Sequence, residues 1–178
     1  MAYAVSVFFD EQTEARVRRI WARMAEAGVS SFLSDGPYRP HLTCAIYAEL
    51  DVAKFAPALA SLALSQKRFP MTLSYPGVFT GEEAAVFLAA TVSQTLLTLH
   101  QRVGRLIHLH GEKPNPFYLP DCWNPHCSVA RHIEAGAVSQ AVTACLDSPL
   151  PIHGFVESVG IIDTPAEVQL HSFAFQGR

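Results

Sequence analysis

Charge is scarce in this chain. Asp, Glu, Lys and Arg make up 16% of its 178 residues, with 13 Lys plus Arg against 16 Asp plus Glu. The net charge is −3 with His neutral. A protein that coats DNA needs a basic face, so this balance excludes DNA as partner and leaves room for a small anion held by a few local groups. Long apolar runs are missing too, far short of the roughly 18 residues that span a bilayer, so no membrane partner is expected. The start, MAYAVSVFFDE, has no basic leader and meets acidic residues at once, unlike a signal peptide. A cytoplasmic protein is the expectation. Cysteine is sparse, and Cys44, Cys122, Cys127 and Cys145 fit no zinc spacing. They read as reduced thiols that behave as small buried hydrophobes. No metal and no cofactor is expected. What the chain has in quantity is apolar surface, 49% of residues, which excludes a disordered chain and suffices for one compact domain.

The periodicities predict an ordered series of elements. Residues 3 to 9 alternate as a strand. A helix from about 11 to 27 is N-capped by Asp10, buries Val17, Ile20, Trp21 and Met24, and ends at Gly28. A strand starts at His41. A helix follows over 51 to about 64, where Pro57 predicts a kink or a later start. Strands near 70–79 and 84–92 join at Thr80-Gly81-Glu82. A helix over 93 to about 109 leads through a Pro-rich loop to a strand from His126, a helix around 135–146, and closing strands over 150–162 and 167–175. The second half resembles the first. The reading is a single domain over 1–178 with two pseudo-symmetric lobes, about 1–92 and 93–178. No pattern sets an oligomeric state.

Two segments carry the repeat. Pro40-His41-Leu42-Thr43-Cys44-Ala45 and Pro125-His126-Cys127-Ser128-Val129-Ala130 both read P-H-x-[TS]-x-A, half a chain apart. With 8 His and 22 Ser plus Thr, the short form H-x-[TS] arises by chance about once. The flanking Pro and Ala lower that to about 0.01 for one copy. In a strand, residues i and i+2 share a face. His41, Thr43 and Ala45 would therefore share one face and Leu42, Cys44 and Ile46 the other; His126, Ser128 and Ala130 repeat this. An imidazole, a hydroxyl and a small methyl suit a cleft floor. If two such strands meet about a twofold axis, two imidazoles and two hydroxyls converge.

That set suits cleavage of a phosphodiester. With an unperturbed pKa near 6.5, one neutral His can take a proton while one imidazolium gives one. The Thr43 and Ser128 hydroxyls can hydrogen-bond the nonbridging oxygens where charge gathers. A shared metal lacks a recurring third ligand. A nucleophilic Ser128 lacks a glycine elbow, and Cys127 should face the helices.

The motifs HLTC and HCSV resemble those of the two-histidine (2H) phosphoesterase superfamily, which holds 2′-5′ RNA ligase-like proteins and cyclic nucleotide phosphodiesterases. The resemblance covers nearly the whole chain in element order. It implies a bilobal α+β fold, with antiparallel sheets lining a central cleft and helices outside. It implies metal-independent chemistry on 2′,3′-cyclic phosphates or 2′-5′ linkages of nucleotides or RNA 3′ ends. It gives His41 the role of proton donor, His126 that of acceptor, and Arg131, five residues after His126, a substrate contact. Strand alternation would point Arg131 away from the cleft unless a strand end or bulge intervenes. Two other readings stay open on the residues: a nucleotide- or phosphate-binding module without turnover, and a 2′-5′ RNA ligase. Tyr38, Tyr118 and Trp123, just upstream of the motifs, are candidates for stacking on a base.

Overall fold

The computed structural model describes residues 2–81 and 84–177. Glu82, in the expected turn after β3, lies outside them. Eight strands and five helices run in the order β1 (Tyr3–Phe9), α1 (Glu11–Glu26), α2 (Phe32–Asp35), β2 (His41–Leu50), α3 (Val52–Leu64), β3 (Phe69–Phe79), β4 (Ala84–Ala90), α4 (Gln94–His108), β5 (Gly111–Pro114), β6 (His126–Ile133), α5 (Val138–Leu146), β7 (Ile152–Asp163) and β8 (Val168–Ala174). Short α2 and edge strand β5 are additions to the predicted series. α1 forms as its stripe predicts. The Asp10 side chain accepts from Thr13 N, Val17, Ile20, Trp21 and Met24 are buried, and Gly28 closes the helix at φ 66°. Pro57 neither delays nor ends α3. The Asp51 cap and the burial of Phe55, Leu59 and Leu62 carry the helix past it.

The described strands form one antiparallel sheet ordered β5-β2-β1-β7-β3-β4-β6, with β8 on β7. β7 joins its parts. Ile152–Val156 pairs with β3, while Val156–Asp163 pairs with β1 on one side and, from Ser158, with β8 on the other. Equating β1 with β4, β2 with β6 and β3 with β7, the order β2-β1-β7-β3-β4-β6 reads the same from either end. The repeat is thus visible in the topology, with the third strands exchanged. The boundary expected near residue 92 does not divide the sheet, because β6 lies on β4 and β7 lies on both β1 and β3. α1 packs on β6 and β7, α5 on β3 and β4, α3 on β7 and β8, and α4 on β2. No helix among the described residues is long and apolar enough to cross a membrane.

Two glycines bear differently on stability. A Cβ at Gly104, inside α4, would meet nothing within 4 Å. Gly104→Ala is expected to raise unfolding free energy by about 0.5–1 kcal/mol, read as a higher denaturant midpoint. Gly154 is the opposite case: its Cβ would stand 1.7 Å from Thr13 Oγ1.

Candidate active site

The motif strands carry matching irregularities. In β2, Ala45 pairs with Val5 but Thr43 pairs with Ser6, leaving Cys44 as an extra residue. In β6, Ser128 pairs with Phe87 and Ala130 with Val86, leaving Val129 as the extra one. The bulges fall at the same place in both motifs. An extra residue advances the alternation by one. The cleft face therefore runs His41, Thr43, Ile46 in one strand and His126, Ser128, Arg131 in the other. Ala45 and Ala130 turn into the core at 3% and 1% exposure. Strict alternation places the two alanines on the cleft floor and Ile46 on the far face; both expectations are corrected. The bulge is also what lets Arg131 face the cleft.

β2 and β6 approach each other without pairing, and the Cys127 thiol reaches the His41 main chain. Between them lies a cleft of about 780 Å³ walled by His41, Thr43, His126, Ser128 and Arg131 among others. The two imidazoles are held alike. His41 Nδ1 lies 2.7 Å from Arg39 O, and His126 Nδ1 lies 2.7 Å from Asn124 O. A carbonyl only accepts, so each Nδ1 carries the hydrogen, leaving Nε2 as the nitrogen that can exchange a proton. Burial lowers the pKa of both rings below the ordinary 6.5. His41 is lowered further by the charges of His126, Arg131 and Arg39. Arg39 itself lines the cleft but is tied to Glu14 at 2.5 Å and lies over the Phe8 ring.

The main chain of each hydroxyl residue is held by a tryptophan, and one of them, Trp21, also lines the cleft. Trp21 Nε1 donates to Ser128 O at 3.0 Å, and Trp123 Nε1 donates to Thr43 O at 2.9 Å. The buried Ser6 hydroxyl lies 3.3 Å from Thr43 Oγ1. Trp123 stacks flat on His100 at 4.0 Å and 3° and does not wall the cleft, so the structure gives it a prop's place rather than the stacking place proposed from sequence. His100 is buried in α4 and is hydrogen-bonded to Tyr118 O at 2.9 Å. Tyr38 and Tyr118 do line the cleft. Sequence reasoning missed Ser6, His100, and the pair Phe79 and Phe87, whose rings stand 4.8 and 5.1 Å from that of His126. It read Trp21 only as a core residue. Alternating aromatic and apolar positions in β1, β3 and β4 carry no mark of which face meets the cleft. Among the described residues no group of three His, Cys, Asp or Glu side chains could hold a metal ion.

Burial of these imidazoles has a consequence for folding. The pKa of His41, His100 and His126 is lowered in the fold, chiefly by burial. Below 6.5 the unfolded chain therefore binds more protons than the folded one, and stability falls with pH from there down to the lowered native values. Tm is expected to drop between about pH 7 and about pH 5.5, and the drop should shrink in His41→Ala and His126→Ala. A Tm flat over that range would contradict the buried neutral imidazoles.

Comparison with known proteins places the fold. The chain's fold is similar to TT0787 of Thermus thermophilus, at TM-score 0.67 and 20% identity over all of both chains. It is similar to apo LigT of E. coli at TM-score 0.64 and 17% identity, covering 99% of this chain and 98% of that one. LigT has also been solved with 3′-AMP, NADP+ and ATP. Usb1 of Kluyveromyces marxianus matches at TM-score 0.53 and 11% identity over 98% and 97% of the two chains. No curated protein matches significantly. The profile of the 2′-5′ RNA ligase superfamily matches residues 48–167, beginning just after the first motif. With that match over two thirds of its length and the two-histidine cleft it folds into, the chain belongs to the 2′-5′ RNA ligase superfamily, among the 2H phosphoesterases.

Proposed function

We propose that the protein is a metal-independent phosphodiesterase that opens 2′,3′-cyclic phosphates or cuts 2′-5′ linkages in nucleotides or RNA 3′ ends. The observation that carries the reading is two imidazoles in one cleft, each with Nδ1 bound to a carbonyl and Nε2 left to exchange protons. One neutral Nε2 takes a proton from water as its oxygen bonds to phosphorus. The other, protonated, gives its proton to the ribose oxygen as the P–O bond breaks. The Thr43 and Ser128 hydroxyls and the Arg131 guanidinium hold the nonbridging oxygens. The family resemblance makes His41 the donor. With Arg39 and Arg131 opposing its charge, that role depends on the substrate's phosphate to offset them.

The nucleotides bound in LigT structures support a small nucleotide ligand here. Ligation is the reverse use of the same two histidines, and a binding module would keep the cleft without turnover. The test is hydrolysis of the four nucleoside 2′,3′-cyclic monophosphates with EDTA present, resolved by product isomer. Turnover that survives the chelator supports the reading; turnover restored only by added metal overturns it. The pH profile of kcat/KM should be bell-shaped. Because both free-enzyme imidazoles are lowered by burial, its apex is expected below about 6.5. A profile rising steadily through neutrality would contradict the acid–base pair.

A further inference from the structure

The cleft is longer than the phosphate chemistry needs, and one end has a different character. Across the sheet, Ile46 pairs with Ala4, Ala4 with Ile162, and Ile162 with Gln169. All four line the cleft. The first three make an apolar strip on which a flat ring can lie. Beyond it stand Thr164 and Glu167, in the turn from β7 to β8, and Tyr38, from the loop before β2.

Glu167 is out of place for an anion cleft. A carboxylate repels phosphate, and no Lys or Arg among the described residues forms an ion pair with it. Its backbone sits at φ 57°, in the left-handed region that a glutamate adopts only at a cost. Beside it is the Tyr38 hydroxyl, whose one acceptor among the described residues is the Glu167 carboxylate itself. The hydroxyl is buried, and that contact falls short of good hydrogen-bond geometry. Burial first, and the neighbouring Glu167 carboxylate second, raise the phenol's pKa, so the group stays an O–H. The ring is held in place by Phe32 at 5.0 Å and by Gly36, where a Cβ would come within 2.5 Å of it. The wall thus offers one hydroxyl donor next to two carboxylate acceptor atoms, over an apolar strip.

We propose that this end of the cleft reads guanine, with the Glu167 carboxylate accepting from N1–H and the N2 amino group and the Tyr38 hydroxyl donating to O6. Among the four bases only guanine sets an acceptor beside two adjacent donors on one edge. Adenine and cytosine place a ring-nitrogen lone pair next to their amino group. Uracil flanks its one N–H with two carbonyls. Each of these three points a lone pair at a carboxylate oxygen, and an unpaired polar group in a closed site is what rejects a ligand.

The inference rests on the nucleotide reading above but not on turnover, so binding tests it separately. The 2′- and 3′-monophosphates of guanosine, adenosine, cytidine and uridine are titrated calorimetrically into the full chain. Guanosine monophosphate is expected to bind about 5- to 100-fold tighter than the other three, the discrimination of one bidentate base contact. Glu167→Gln keeps the size of the side chain but replaces one acceptor with a donor, so it should abolish that ratio. Tyr38→Phe should reduce the ratio by a smaller factor. Equal affinity for all four bases, a guanosine preference that survives Glu167→Gln, or no binding of any monophosphate would each overturn the proposal. If guanosine preference holds while His41→Ala still turns over, the catalytic reading fails and the base reading stands.

Discussion

His41→Ala and His126→Ala are each expected to lower kcat on the best cyclic phosphate by about 10²- to 10⁴-fold, the usual contribution of a positioned acid or base. Neither change removes Thr43, Ser128 or Arg131 from the cleft wall, so substrate should still bind. The loss should therefore appear in kcat far more than in KM. In the proposed mechanism the two residues serve one transition state, so the double variant should be scarcely slower than the worse single one. The pH profiles separate the roles. Loss of the base removes the acidic limb of the bell, and loss of the acid removes the basic limb. Near-normal kcat in either variant would refute the mechanism.

Gly154→Ala should produce the largest effect on stability. Gly154 lies in β7 opposite Met71. A methyl group there would stand 1.7 Å from Thr13 Oγ1 and 2.7 Å from Asp10 Oδ2. Those atoms form a closed node: Asp10 accepts from Thr13 N at 3.0 Å, Thr13 Oγ1 at 2.7 Å and Phe155 N at 2.6 Å. Burial alone would raise the Asp10 pKa, but these hydrogen bonds outweigh it and lower it. The added methyl must push α1 off the sheet or break its cap. Overpacking costs about 1–3 kcal/mol and loss of the cap about 1 more. Denaturant unfolding would read this as a lower midpoint with unchanged slope. A midpoint within error of the native protein would show that the node moves freely.

Much of the fold was legible. The helical stripes of α1 and α4 and the recurrence of the motif place their elements within a residue or two of the structure. The antiparallel α+β class followed from the resemblance those motifs carry. Both histidines and both hydroxyls face the one cleft that the spacing implied. The bulges were not legible, because the residues following each hydroxyl, Cys44-Ala45 and Val129-Ala130, are all apolar. Two apolar neighbours read equally as a buried run or as a slipped register. β5 carries Glu112, Lys113 and Pro114 with no period to detect. The double pairing of β7 is a long-range matter that its own twelve residues do not announce. Trp123 shows the limit for loops: its indole is a prop only because His100, twenty-three positions earlier, gives it a face to stack on.

The separation of β2 from β6 along the sheet has a mechanical consequence. Five strand-to-strand steps of about 4.8 Å separate them, or about 24 Å if the sheet were flat. Yet they meet at His41 and Cys127. The sheet curls like a split ring, and the two imidazoles sit on the lips of the slit. Among the described residues no strand ladder laces those lips; the Trp123 to Thr43 hydrogen bond and the Cys127 contact pin them locally, and the curvature of the strands along the way sets how they face each other. Small changes in twist at β7 or β3, far from the phosphate, add up at the slit. Under the proposed reaction, rate should therefore register the elasticity of the whole ring, and substitutions that soften it should slow turnover before they unfold the chain.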